Sequence, residues 1–377
     1  MQFIFYIATF NGLFFALLLF QKKPRATHDN ILIVWLVYLA LFIGAYSVYS
    51  HNLFTHFNLL SASLISMFLL LGVFLFLYIS RLVSNQKIFI TKNLLHFLPF
   101  AAFNLYLFVA SFYPKIAYEI RIEHVHTHFH PPLLFLFLLI LTLLSGPFYF
   151  VFTLILLQKH NLNIFNNFST TENVNLEWLR KLVIVFGIIW TILITITLIH
   201  HVFNLFSMVF CTDSLFIALS IFVILIGYFG LKQKVILGND FKEQQLLDKE
   251  KNKYSGSSLK EDEASKYSKQ LSEFMQSEKP YLNPDLTLQL LASQINITPH
   301  YLSQVINEQF KVNFFEYINQ FRVEEVKARI NNPKYKSFSL LGIAVDSGFN
   351  SKSAFNRVFK KFTNQTPSQY KSNITEK

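Results

Sequence analysis

The chain has 377 residues, of which 53% are hydrophobic and only 15% are charged. Soluble domains carry about 25% charged residues, so this composition excludes a protein that lies wholly in water. Residues 1–231 contain 11 Lys and Arg with 6 Asp and Glu, whereas residues 232–377 contain 22 and 16. This contrast predicts an apolar first part and a soluble second part. The single cysteine, Cys211, excludes an internal disulfide and a cysteine-based metal cluster.

Apolar runs in the first part are long enough for membrane-spanning helices, which need about 18 or more residues. Seven such runs lie near 2–21, 31–50, 59–80, 94–113, 132–157, 182–206 and 214–231. The fifth contains Ser145-Gly146-Pro147, which can kink a helix. The sequence therefore predicts a seven-helix transmembrane bundle over residues 1–231, with the lipid bilayer as its surroundings.

Basic residues alternate between the predicted loops. The loops after the first, third and fifth spans hold nine Lys and Arg, and the other loops hold two. Cytoplasmic loops of membrane proteins are enriched in Lys and Arg. The pattern predicts a multi-pass protein of the cytoplasmic (inner) membrane, with its N-terminus outside and, after seven crossings, its C-terminal region in the cytoplasm.

The predicted spans do not resemble those of a transporter. Their interiors hold Asn11, Asn104 and scattered Ser and Thr, but no acidic or basic side chain near a centre. Transporters usually place ionisable groups there for ion or proton coupling, so a transporter with a regulatory tail is the disfavoured alternative. The chain also lacks a nucleophile elbow, a P-loop, a kinase motif or a carboxylate pair. We expect no enzyme and no catalytic residue.

Histidines are concentrated in the predicted outer loops. An extended segment with His at every second position would place four imidazoles on one face, and they are His124, His126, His128 and His130. Imidazole binds zinc and copper and titrates near neutral pH. The pattern indicates a candidate zinc or copper site, or a pH-sensing face. The alternative is an interfacial loop in which histidine has no specific role.

Residues 232–257 connect the two parts. The stretch is charged and is followed by Ser258, at the end of a Ser-Gly-Ser-Ser run typical of flexible linkers. Residues 241–254 can form a short signalling helix that pairs in a dimer. The simpler interpretation is a cytoplasmic tether.

Two helix-turn-helix units are predicted in residues 258–377. In the first, Thr287 caps a helix that ends before Asn296, and Thr298 caps a helix over Pro299–Gln309. In the second, Ser339 caps a helix up to residue 347, and Ser351 begins a helix that extends to residue 361. A long helix from Phe314 to Ile330 connects the units. The second helix of each unit, over 299–309 and 351–361, is the candidate reading helix that enters a major groove of DNA.

Each candidate reading helix has an apolar face and a polar face. Leu302, Val305 and Ile306 on the first helix, and Phe355, Val358 and Phe359 on the second, are predicted to face the core. The opposite faces carry side chains that can meet base edges or phosphates. These candidate DNA-binding residues are His300, Ser303, Gln304, Asn307, Ser353, Asn356, Arg357 and Lys360.

These residues carry a family resemblance. The run GFNSKSAFNRVFKKFTNQTPSQYK at 348–371 resembles the signature of the AraC/XylS family of transcription regulators, and residues 286–330 resemble that family's first helix-turn-helix and connecting helix. The resemblance covers roughly residues 258–377. It implies an all-helical domain whose two reading helices enter successive major grooves on one face of DNA. The family usually has Gly where this chain has Asn296, Lys311 and Asn364; of the three, Lys311 is the least suited to a positive φ.

Together these features predict an all-α protein: a transmembrane sensor domain (1–231), a linker (232–257) and an AraC-type DNA-binding domain (258–377). We expect a sequence-specific transcription factor that responds to an extracytoplasmic or membrane signal. Its expected partners are double-stranded DNA, RNA polymerase, a signal ligand of unknown identity and a second copy of the chain in a homodimer. The alternative is a membrane receptor whose helix-turn-helix domain binds a protein partner rather than DNA.

Overall fold

The computed structural model describes residues 2–50, 60–83, 93–120, 132–171, 176–203, 208–233, 259 and 261–375. Within these ranges the chain is helical, with an isolated β-bridge between Phe168 and Thr287 and no strand. The predicted all-α fold is therefore confirmed.

The chain folds into two compact units. The first comprises residues 1–158 and 176–235, and the second comprises residues 159–175 and 236–377. Residues 159–171 thus belong to the second unit, together with the C-terminal region of the chain. The predicted division at 231 and 257 stays a prediction, because residues 234–258 lie outside the described residues.

Eight α-helices form the described part of the first unit, the sixth continuing into the second unit. They are α1 (Gln2–Gln21), α2 (Thr27–Ser50), α3 (Leu60–Val83), α4 (Leu98–Ser111), α5 (Pro114–Glu119), α6 (Leu133–Asn167), α7 (Glu177–Phe203) and α8 (Met208–Lys232). Six of them, namely α1, α2, α3, α6, α7 and α8, are long and apolar enough to cross a membrane. The fourth predicted span corresponds to the shorter apolar stretch Leu95–Ser111, which includes a 3₁₀ turn at its start.

Helix α6 is longer than a membrane requires. Its 35 residues include Pro147 and remain one helix. At 1.5 Å per residue it extends about 52 Å, compared with about 30 Å for the hydrocarbon core of a bilayer. A helix that crosses a bilayer over its first part therefore continues well beyond it, and residues 159–167 of α6 belong to the second unit.

The first unit has an aromatic core and an apolar outer surface. Trp35 and Phe42 are buried, and the rings of Tyr46 and Phe216 stack in parallel. On the outside of α1, Phe3 is 75% exposed. Soluble proteins rarely expose large continuous apolar surfaces, and the exposed side of this helix is apolar along its length, so the unit is suited to lipid surroundings.

The second unit contains the predicted helix pairs. Its helices are α9 (Glu261–Ser277), α10 (Leu288–Gln294), α11 (Pro299–Gln309), α12 (Phe314–Asn331), α13 (Leu340–Asp346), α14 (Lys352–Thr363) and α15 (Pro367–Thr375). One apolar cluster joins α9, α10 and α11 to one set of α12 side chains, and a second joins another set of α12 side chains to α13 and α14. Each helix-turn-helix thus has its own core, and α12 contributes to both.

Candidate nucleic-acid interface

Helices of both helix-turn-helix units begin at polar caps. The hydroxyl groups of Thr287, Thr298, Ser339 and Ser351 each accept a hydrogen bond from the backbone N–H three residues later. Such a cap satisfies one of the N–H groups that a helix start leaves without a partner. The predicted caps Thr287, Thr298 and Ser339 are confirmed, and Ser351, predicted as the first residue of its helix, is the cap of that helix. Thr298 and Ser351 thus mark where the two candidate reading helices begin.

The first reading helix, α11, presents a polar face. Leu302, Val305 and Ile306 are at most 1% exposed, which confirms the predicted core face. The predicted DNA-binding residues His300, Ser303 and Gln304 are half-buried, and Asn307 is exposed. Two of them bond within the helix: Gln304 donates to the carboxylate of Glu308 at 3.1 Å, and Asn307 donates to the hydroxyl of Ser303 at 3.4 Å.

The second reading helix, α14, presents a more open face. Phe355, Val358 and Phe359 are at most 3% exposed, as predicted. The candidate DNA-binding side chains on the opposite face are all exposed, and they are Ser353, Asn356, Arg357 and Lys360. Arg357 and Lys360 make this row basic, which suits a surface that meets phosphates and base edges.

Left-handed backbone conformations occur at the three positions where the resembled family usually has Gly. The φ angles are 57° at Asn296, 58° at Lys311 and 58° at Asn364. Asn adopts this conformation readily because its short polar side chain can form a local hydrogen bond. For Lys the close approach of the β-carbon to the backbone carbonyl is unfavourable. The chain keeps the turn geometry at all three positions, and Lys311 is the strained one.

Gly348 makes the turn of the second helix-turn-helix. Its φ is 91°, and a β-carbon at this position would lie 2.2 Å from the carbonyl oxygen of Tyr281. Only glycine permits both the conformation and the close approach. The turn before α14 is therefore packed directly against the chain segment that precedes α10.

A buried arginine on α12 lies next to this contact. Arg322 is 1% exposed. Its Nε donates to the carbonyl of Tyr281 at 2.8 Å, and its Nη2 donates to the carbonyl of Asn283 at 2.8 Å. Burial lowers the pKa of this guanidinium to about 10, and the negative charge of Asp285 partly opposes the shift. Among the ion pairs of the described residues, none includes Arg322, so its charge is held by neutral oxygen atoms.

The remaining partners of Arg322 come from the residues that directly follow α6. Its Nη1 donates to the carbonyl of Ser169 at 3.1 Å, and its Nη2 also donates to the Ser169 hydroxyl at 3.0 Å. Nearby, Arg357 donates to the hydroxyl of Thr171 at 3.0 Å, and Asn350 donates to that of Thr170 at 2.9 Å. Sequence reasoning missed residues 168–171 because a short polar run between two apolar segments looks like an ordinary loop.

The predicted metal site cannot be compared with the structure. His124, His126, His128 and His130 lie outside the described residues. Elsewhere in the described chain, no group of three or more His, Cys, Asp or Glu side chains could hold a metal ion. The zinc or copper site therefore stays a prediction.

Comparison with known proteins identifies the domain. Residues 291–373 match the model of a helix-turn-helix domain. An uncharacterized HTH-type transcriptional regulator of Staphylococcus aureus is 33% identical over 99 residues, which are 26% of this chain and 13% of that protein. The uncharacterized HTH-type transcriptional regulator YijO of Escherichia coli is 32% identical over 96 residues, which are 24% of this chain and 33% of that protein. No significant match was found among solved structures.

The similarity spans only 13% and 33% of the lengths of these two relatives. The matched domain model begins within α10 and ends within α15, so it contains both candidate reading helices and their polar faces. Residues 291–373 are therefore a helix-turn-helix domain of the kind found in transcriptional regulators.

Proposed function

We propose that this protein is a membrane-embedded, sequence-specific transcription regulator of the AraC/XylS type. The observation that carries the proposal is the row of exposed basic and polar side chains on α14. The helix is capped at its start, and its opposite face is buried in the apolar core. The proposed DNA contacts are His300, Ser303, Gln304 and Asn307 on α11, and Ser353, Asn356, Arg357 and Lys360 on α14. Lys and Arg supply salt-dependent affinity for phosphates, and the polar groups select bases.

The two reading helices suit successive major grooves, which recur about every 10–10.5 bp along one face of DNA. A single domain can then cover two grooves, so a monomer suffices for specific binding. Homodimerisation of the membrane part would raise the effective concentration of the second domain. RNA polymerase is the proposed downstream partner.

The proposed membrane topology has seven crossings, with the N-terminus outside and the DNA-binding unit in the cytoplasm. Six apolar helices have the length for a full crossing, and Leu95–Ser111 supplies the seventh. This 17-residue stretch rises about 26 Å, slightly less than the hydrocarbon core, and a bilayer can thin locally around a short span. Reporter fusions after each span test the topology, and an outward-facing C-terminus would contradict the proposal.

The proposed input is an extracytoplasmic or membrane signal that changes the packing of the spans. The altered packing would reach the helix-turn-helix domain through the chain that joins the two units. The rival function is a receptor whose helix-turn-helix domain binds a protein. The two candidate functions require the same fold. They differ in whether the exposed basic and polar side chains of α14 contact DNA.

Genome-wide crosslinking and immunoprecipitation of the tagged full-length protein, in its own cells, tests the proposal. We expect discrete peaks that share a sequence long enough for two major grooves. The matched control is a triple variant, Ser353→Ala, Arg357→Ala and Lys360→Ala, which keeps the core of α14. Equal enrichment of the two proteins would refute DNA reading by α14 and favour the receptor.

A further inference from the structure

Residues 168–171, which directly follow α6, pack against the helices of the helix-turn-helix domain. Phe168 forms an antiparallel bridge with Thr287, and Ser169 donates from its N–H and its hydroxyl to the carbonyl of Leu286, at 3.3 and 2.7 Å. The carbonyl of Ser169 accepts from Asn319 at 3.0 Å as well as from Arg322. We call residues 168–171 the docking segment.

The docking segment is anchored at its centre. Ser169 is 1% exposed and Thr171 is 3% exposed. Just before the segment, the ring of Phe165 packs edge-on against Phe315 of α12, with centroids 5.2 Å apart. Ser169 supplies two of the four hydrogen bonds made by the buried guanidinium of Arg322. Removal of the segment would leave the buried N–H donors of Arg322 without these partners, which is costly. We therefore expect the segment to dock or to leave as a whole.

The last two residues of the segment engage the DNA-reading surface. Thr171 accepts from Nη2 of Arg357, on the exposed face of α14, and Thr170 accepts from Nδ2 of Asn350, in the turn before it. A hydroxyl is a neutral acceptor. A phosphate or a guanine edge offers Arg stronger charge-assisted or bidentate bonds. Under the proposed function, DNA and Thr171 would therefore compete for Nη2 of Arg357.

We propose that the docking segment is an intrachain ligand of the helix-turn-helix domain that restrains Arg357 and so links helix α6 to DNA affinity. This inference rests on the proposed DNA-binding function. Helix α6 runs from residue 133, in the first unit, to residue 167, in the second. A shift of α6 pulls on Ser169, weakens the hydrogen bonds that Thr170 and Thr171 accept, and releases Arg357 for DNA.

The first test is Thr171→Val, which removes the hydroxyl and keeps the shape. The full-length protein in nanodiscs is titrated, at fixed salt, with a labelled duplex of about 30 bp selected from a random library by the unsubstituted protein. We expect binding about three- to tenfold tighter, in line with the loss of one competing hydrogen bond. The matched control is Thr191→Val in α7, whose hydroxyl bonds the carbonyl of Gly187. Equal affinities of all three proteins would overturn the proposal.

The second test locks the segment in place. Residues opposed in an antiparallel bridge have α-carbons about 4.5–5.5 Å apart, within the range for a disulfide. Phe168→Cys with Thr287→Cys, in a Cys211→Ser background, should form an intrachain disulfide, detected by mass spectrometry, and the single-cysteine variants are the controls. Oxidation should weaken DNA binding severalfold and reduction should restore it.

The outcomes separate the two ideas. Failure of the disulfide to form would overturn docking itself. A disulfide that forms without a change in DNA affinity would overturn the link to DNA. If the disulfide forms and no variant binds any DNA, the proposed function fails and the regulatory link fails with it, whereas docking is retained as a structural contact.

Discussion

Replacement of Lys311 by glycine is expected to stabilise the helix-turn-helix domain. Lys311 lies in the turn between α11 and α12, is exposed, and has a φ of 58°. For a residue with a β-carbon this conformation costs about 1–2 kcal/mol. Glycine avoids this cost, but it also makes the unfolded chain more flexible, which offsets roughly half of the stabilisation. The expected net stabilisation is about 0.5–1 kcal/mol. Asn296→Gly, at a φ of 57°, should gain less, because Asn tolerates this conformation.

The assay must report on the second unit alone. All three tryptophans, Trp35, Trp178 and Trp190, lie in the first unit, so tryptophan fluorescence would follow the other unit. Hydrogen exchange with mass spectrometry, on the full-length protein in nanodiscs, resolves local opening. We expect exchange in α11 and α12 to slow by roughly two- to fivefold, which corresponds to the expected stabilisation at about 1.4 kcal/mol per factor of ten.

Lys311→Ala is the control, because it shortens the side chain but keeps the β-carbon. Its exchange should match that of the unsubstituted protein. If the glycine variant exchanges as fast as the alanine variant, or faster, the turn stores no such strain and the reasoning is refuted.

Three other perturbations address the interface and its support. Arg357→Ala should weaken binding to a selected duplex by about 10- to 100-fold, measured by anisotropy; if Arg357 meets only phosphate, the loss will be equal on a scrambled duplex and the salt slope will fall by about 0.9. Thr298→Ala, which removes the cap of α11, should destabilise the first helix-turn-helix by about 1 kcal/mol, seen as faster exchange there and not in α14. Burial raises the pKa of Glu325, but the hydrogen bonds from Arg329 and Lys279 lower it by more than burial raises it, so the net shift is downward. Glu325 contributes its full stabilisation above the pKa of Glu in the unfolded chain, about 4.3, and this contribution is lost as the pH falls through the lower pKa of the folded state. Pepsin cleavage of α12 should rise over this pH range, and the rise should be smaller with Glu325→Gln. An identical rise would contradict the role of Glu325.

Local signals explain why much of the second unit was predictable. A hydroxyl residue before an apolar run, followed by helical periodicity, indicates a capped helix, and Thr298 with Pro299 marked the start of α11 correctly. The buried faces of α11 and α14 follow from the spacing of apolar side chains. The left-handed turns at Asn296 and Asn364 follow from the resemblance, which supplied the positions where Gly is usual.

Long-range polar contacts were not predictable from the sequence. Arginine is almost never fully buried unless it is paired, and nothing near Arg322 in the chain marks it as an exception. Its burial depends on carbonyl groups about 40 residues before it and on Ser169, 153 residues before it. Periodicity carries information about neighbours three or four positions away, and a residue pair this distant leaves no such trace.

The placement of residues 159–175 changes how the two units are connected. A domain attached only by the linker at 232–257 would have one covalent connection to the spans. Here the chain passes between the units three times, after residues 158, 175 and 235. Two of these connections enclose the docking segment, whose anchor is the buried bond network of Ser169 and Arg322. Under the proposed function, a signal that shifts the sixth helix would act on the docking segment, which directly follows this helix. The docking segment in turn bonds Arg357 through Thr171, so this connection leads from the proposed sensor to a proposed DNA contact.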